Sequence, residues 1–195
     1  QTQNNSIIVY PYPNQTDVKT AFYNEFPDPL PLYEGTGNPI SIQFNPYNFK
    51  DKVTIIDFEL TENCTKTISD IVILNEDTDV NKHLQGNEFA FMPIKRLRYN
   101  TKYCVKATYA HMNIKDTINY SFETEKITSE IYYSELKTNT ISINPNSKEF
   151  VIVLDRNFNL NPLPKNELSI TKNYEFEFYD YDTFIFRTNN RFEPF

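Results

Sequence analysis

Tryptophan is absent from this chain of 195 residues, and glycine, cysteine and histidine number only three, two and two. Three glycines cannot furnish a phosphate-cradling loop, a dinucleotide fingerprint or a nucleophile elbow, all of which need close backbone approach or a strained turn. Neither CxxC nor HExxH occurs, and with His83 and His111 as the only imidazoles a four-ligand zinc site lacks its donors. No metal or other cofactor is therefore expected. Basic stripes are missing as well: the net charge is −7, whereas nucleic acid requires clustered lysine and arginine to neutralise phosphates, so nucleic acid is not an expected partner. No apolar run approaches the roughly 20 residues that cross a bilayer, and no cationic start leads into an apolar segment, so no membrane span is expected. The opening, "QTQNNS", fits either a mature chain after signal removal or a piece of a longer protein.

What the chain has in quantity is aromatic residues, 15% of the total, as 16 phenylalanines and 14 tyrosines. Rings and β-branched side chains fit a pleated, half-buried surface, which points to strands. Length favours two modules, domains averaging roughly 100–150 residues. The abundance of Asn, Ile, Lys and Thr reads partly as nucleotide bias and carries little functional weight.

Apolar residues recur with period two in "IIVYP", "PISIQF", "VTIIDFEL", "DIVILN", "NEFAFMP", "TKYCVKATY" and "NYSFET". These predict strands with Ile40, Ile42 and Phe44 on one side, and Ile56, Phe58 and Leu60 on a single face. Phe89 and Phe91 should point inward, as should Tyr103, Val105 and Ala107, then Tyr120 and Phe122. Short strands at this spacing, with polar turns and no 3.6-residue period between them, predict an all-β, immunoglobulin-like antiparallel β-sandwich over residues 6–126. Between the first two strands runs a long connection in which Pro27, Pro29 and Pro31 forbid a central strand. The one helical signal is a short turn at "TDVNKHL", with Thr78 or Asp79 as cap.

After a pause at "EKITSE" a second group begins, "EIYYSEL", "NTISIN", "EFVIVLD", "ELSIT", "YEFEFYD" and "DTFIFRT", which predicts a small β-module over 127–195. "EFVIVL" is apolar on both sides, as a strand covered on both faces would be. In "YEFEFYDYDTFIFR", Tyr174, Phe176 and Phe178 alternate with Glu175 and Glu177, and Phe184 and Phe186 answer them. This predicts a hairpin with one dry and one wet side.

Leu97, Thr101, Tyr103 and Val105 reproduce the spacing of a tyrosine corner, in which the hydroxyl bonds back to upstream backbone and pins the end of a sandwich. With Tyr103 and Val105 inward, alternation sends Cys104 to the outer face, away from an inter-sheet core disulfide. Cys64 lies just past the third strand, where a Cys64–Cys104 bridge would clip a loop to a neighbouring strand of the same sheet. Such a clip is the preferred reading, beside two free thiols or a redox or metal pair.

Several stretches resemble bacterial Ig-like domains that open on a Pro-Asx-Xaa-Thr-Asx-Val segment and close on Thr-x-Tyr and Ser-Phe-x-Thr strands. They are "YPYPNQTDVKTAFYNEFPDPLP", "NPISIQF", "FAFMPIKRLRYNTKYCVKATY" and "INYSFETEK". The first is similar to the segment following the CAP (SCP-like extracellular) domain of secreted bacterial proteins. The resemblance covers about residues 8–125 and does not reach 127–195. It implies an exported accessory region, periplasmic, cell-surface or secreted. The helical CAP domain with its histidine and glutamate cleft has no counterpart here, so no activity transfers to any residue.

Chemistry-bearing clusters are few. Glu175 and Glu177 lie roughly 7 Å apart on one strand face, a glycosidase-like separation, but project in parallel as a solvated face does. Asp180 and Asp182, with Asp155, form a conceivable hard-cation set, against the commoner role of Asp in bonding its own turn backbone. Tyr132, Tyr133, Tyr179 and Tyr181 offer flat rings with polar tips to a sugar or protein partner, against filling a small core. Asn-x-Ser/Thr tripeptides at Asn4, Asn14, Asn63 and Asn119 matter only in a glycosylating host. The expectation is a non-enzymatic spacer or protein-interaction module, with the proline-rich 24–39 stretch as a docking surface. The alternative is a carbohydrate-binding module for cell-envelope glycan. A third reading, a hydrolase, requires convergent carboxylates or a histidine dyad in a cleft.

Overall fold

A computed structural model describes residues 6–23, 26–134, 141–144, 146–154 and 174–188. The fold is all-β, without a helix among the described residues. Described residues up to Lys126 belong to one compact unit and those from Ile127 onward to a second.

The first unit is an antiparallel β-sandwich. One sheet holds β1 (Ile7–Tyr10), β4 (Ile40–Phe44), β8 (Glu88–Pro93) and β7 (Ile71–Leu74), in that order. The other holds β10 (Ile114–Glu123), β9 (Lys102–His111), β5 (Thr54–Glu62) and β6 (Lys66–Thr67). This order matches the two sheets of an immunoglobulin-type sandwich, with β6 as an added edge. Inward residues from both sheets meet in one core: Ile40, Ile42 and Phe44 from β4, Phe89 and Phe91 from β8, Leu60 from β5, Tyr103, Val105 and Ala107 from β9, and Phe122 from β10. Phe58 and Phe91 stack across the sheets, ring centroids 3.7 Å apart.

Ile56 departs from its expected face. The β5–β9 register shifts between Ile55 and Asp57. A bulge adds one residue to a strand and flips its parity. Ile55 therefore turns in against the core, and Ile56 is left 49% exposed.

The segment that follows β1 reaches the other sheet. Past the cis Tyr10–Pro11 bond the chain crosses over to β10, where Val18 bridges Thr124 in parallel. Asn14 N donates to Ser121 O at 2.7 Å, and Glu123 N to Gln15 O at 2.8 Å. The proline-rich connection then packs down. Its ends pair as a short hairpin, β2 (Ala21–Tyr23) with β3 (Gly35–Gly37). Leu30 is buried with Leu74 and Met92 in a second small core, against which Phe22, Tyr33, Val72, Leu84 and Ala90 pack. Leu30 and Tyr33 of the proline-rich stretch thus cover part of the outer face of β7 and β8, while Phe26, Pro27, Pro31 and Leu32 stay exposed.

The "TDVNKHL" stretch forms turns and no helix. Asp79 is its organiser: the buried carboxylate accepts from the amides of Asn81, His83 and Leu84 at 3.0, 2.7 and 2.9 Å. An aspartate that bonds its own downstream backbone supplies the same local signal whether a helix follows or not.

The second unit is one mixed sheet in the order β11 (Glu130–Ser134), β12 (Glu149–Leu154), β14 (Thr183–Thr188), β13 (Tyr174–Asp180). β12 is its centre, parallel to β11 and antiparallel to β14, and Phe150, Val151, Ile152 and Val153 are all buried, as a strand covered on both faces requires. The β13–β14 hairpin pairs Phe176 with Phe186 and Phe178 with Phe184. Its expected dry side is only half dry: Phe184 and Phe186 are buried, but Phe178 is 64% exposed and Phe176 exposed as well. β13 ends the sheet, and its rings lean on those of β14 with the other side open to solvent. Ile141 and Ile143 of "NTISIN" pack on this core without strand pairing, and "ELSIT" lies outside the described residues.

Candidate functional site

Alternation along β9 places the residues of interest. Tyr103, Val105 and Ala107 enter the core, so Cys104 and Lys106 lie on the outer face. The corner is closed by Tyr103, whose hydroxyl accepts from the Arg98 amide at 2.9 Å. In register, Cys104 stands between Thr61 of β5 and Ser121 of β10, and Lys106 between Glu59 and Asn119.

Cys64 reaches this face from the turn joining β5 to β6. Asn63 and Cys64 there adopt left-handed φ values of 51° and 56°, a conformation costly for cysteine and tolerated where neighbouring structure holds it. The holding contacts are visible: Asn63 N donates to Lys102 O at 2.7 Å, and Thr61 Oγ1 to Cys104 O at 3.3 Å. The Cys64–Cys104 disulfide spans Cα atoms 5.0 Å apart. It fastens a hairpin turn to the adjacent strand of the same sheet, as the outward placement of Cys104 predicts. Cys64 is exposed and Cys104 half-buried.

Beside the bridge opens a groove of 570 Å³ whose lining includes Cys64, Cys104, Glu59, Lys106, Asn14 and Asn119. One wall is the segment that crosses from β1 to β10, carrying Asn14. The charged residues at the groove are Glu59, which accepts from the Thr67 hydroxyl at 3.4 Å, and Lys106. Beneath it Tyr120 points into the sandwich with its hydroxyl buried and unbonded, and burial pushes the phenol up from its ordinary value. Sequence reasoning found the bridge and missed the groove. Its signal was the "PNQTDV" segment, whose return to the far sheet supplies the wall.

The chain matches no model of a known protein family, and no curated protein matches it.

The tyrosines divide. Tyr132 is half-buried, its ring edge-on to Phe150 and its hydroxyl accepting from the Asn144 amide at 3.0 Å, so it belongs to the core of the second unit. Tyr133 is also half-buried. Tyr179 and Tyr181 are 44% and 77% exposed, and these two alone of the four present open rings. Asp180 accepts from the Asp182 amide at 2.9 Å, which is the turn-bonding role, and Asp155 lies outside the described residues. No group of three or more metal-ligating side chains converges among the described residues. Glu177 is engaged by Arg187 at 2.7 Å, and Arg187 reaches Glu149 at 2.7 Å as well. The hydroxyl of Ser129 and the Arg187 guanidinium hold the Glu149 carboxyl below its ordinary value. His83 is exposed, and His111 is half-buried edge-on to Phe49 with Nε2 buried and unbonded.

Proposed function

We propose that the chain is a non-enzymatic accessory region of an exported bacterial envelope or secreted protein, serving as spacer and protein-interaction module. The disulfide supports export, since such bridges persist in oxidising compartments. No helix among the described residues is long and apolar enough to cross a membrane. The resemblance to Ig-like domains that follow CAP domains supports an accessory role. The observation that carries the interaction reading is the exposed Phe176 and Phe178 on β13. Phenylalanine has no polar tip to satisfy in water, and an exposed pair on one strand face is suited to burial by a protein partner. A photo-crosslinking residue at position 178 is expected to form adducts with one exported protein in the native host, and the same residue at the exposed Ile114 is not. Equal labelling at both positions removes the interaction reading.

A second reading, carbohydrate binding, is favoured by the open rings of Tyr179 and Tyr181. It expects retention on cell-envelope polysaccharide that is lost on Tyr179→Ala with Tyr181→Ala. An array and pull-down in which the parent chain binds no glycan removes it.

A further inference from the structure

We propose that Cys64 is a thiol-exchange site: its sulfur accepts a low-molecular-weight thiol while the domain stays folded, with Cys104 as the leaving thiolate. Three observations lead there. First, the two cysteines are unequally exposed. Cys64 sits exposed in a turn, whereas Cys104 is half-buried on a central strand between Thr61 and Ser121. Exchange requires access to the sulfur attacked, and exposed disulfides are the labile ones. Second, the bridge joins parts of one sheet and holds no two layers together. The core side chains Tyr103 and Val105 flank Cys104 in sequence and point the other way, and the tyrosine corner closes without either sulfur. Opening the bridge therefore leaves the core and the β9 pairings in place. Third, the groove lined by both cysteines has room for the body of a small thiol, and Lys106 lies two residues along the same strand face from Cys104.

A thiolate RS⁻ attacks Sγ of Cys64 and an RS–Sγ bond forms. The Cys64–Cys104 bond breaks and its electron pair departs on Sγ of Cys104, which takes a proton from water. A second thiol attacking the mixed disulfide releases RSSR and leaves both cysteines reduced; a small disulfide run in reverse restores the bridge. A lower leaving-group pKa speeds the first step, and a neighbouring ammonium lowers a thiol's pKa. Glu59 faces the same lysine across the sheet and offsets part of that effect, so the contribution of Lys106 is modest.

The test uses the whole oxidised chain with reduced glutathione as probe, quenched with iodoacetamide and mapped by mass spectrometry, while near-UV circular dichroism follows the fold. The expected result is glutathione on Cys64 and the alkyl group on Cys104, with the dichroism unchanged. Glutathione on Cys104 instead, or exchange only at urea concentrations that unfold the domain, overturns the assignment. Lys106→Gln, at an exposed position, is expected to slow the first exchange by about threefold through the leaving group. An unchanged rate removes Lys106 from the site.

Discussion

Asp79 shows how one side chain can replace a regular element. Burial alone pushes its carboxyl up, but the amides of Leu84, Asn81 and His83, with the nearby His83 imidazole, outweigh burial and hold it below its ordinary 3.8. A carboxyl depressed in the folded state stabilises the fold above the unfolded value and gives up that stability as acid protonates it. Urea unfolding followed against pH should therefore show parent stability falling below pH 3.8, with Asp79→Asn flatter across the same window. At neutral pH, Asp79→Asn is expected to cost about 2 kcal/mol, because a neutral amide cannot serve three donors as the carboxylate does. The capping residue was legible in the sequence and the absence of a helix was not. An aspartate followed by polar residues specifies a local hydrogen-bond acceptor, and whether a helix follows depends on what Leu84 packs against.

At the level of elements, alternation read correctly wherever strands are long and regular. Tyr103, Val105 and Ala107 went inward and Cys104 outward, as the sequence indicates. Ile56 failed because a bulge is dictated by the partner strand, and nothing within "VTIIDFEL" marks it. β2, β3 and β6, at three residues or fewer, are too short to display a period at all. Their contacts are nonetheless tight. A methyl group on Gly37 of β3 would meet Lys95 O at 2.4 Å and Pro93 Cβ at 3.0 Å. A backbone carbonyl in that position cannot rotate away as a flexible side chain would. Gly37→Ala is accordingly expected to lower unfolding free energy by about 2 kcal/mol in urea titration. A neutral result would mean that the β2–β3 cover can lift from the sheet at little cost.

For the whole molecule, the break at "EKITSE" falls where the contacts divide the chain, because apolar patterning stops there and each side has its own core. A chain ending at Lys126 is expected to unfold in urea in one cooperative step. Loss of that cooperativity, read by near-UV circular dichroism, would show that the first unit needs the second. The groove was invisible in sequence because it is made by three distant segments, the crossing segment at Asn14, the end of β5 with the turn at Cys64, and the β9–β10 pair, which only the folded sheet order brings together. The same is true of the parallel β11–β12 pairing, which no local turn encodes.

The cover on β7 and β8 makes the two sheets of the sandwich unlike in a practical sense. Any visitor laid against the outer face of β7 and β8 must first displace the chain's own Leu30 and Tyr33, while Cys64 of the sulfur bridge, on the other sheet, is exposed. A label aimed at the sulfur bridge and a partner aimed at β7 thus meet the sandwich under different terms, decided by where one stretch of prolines came to rest.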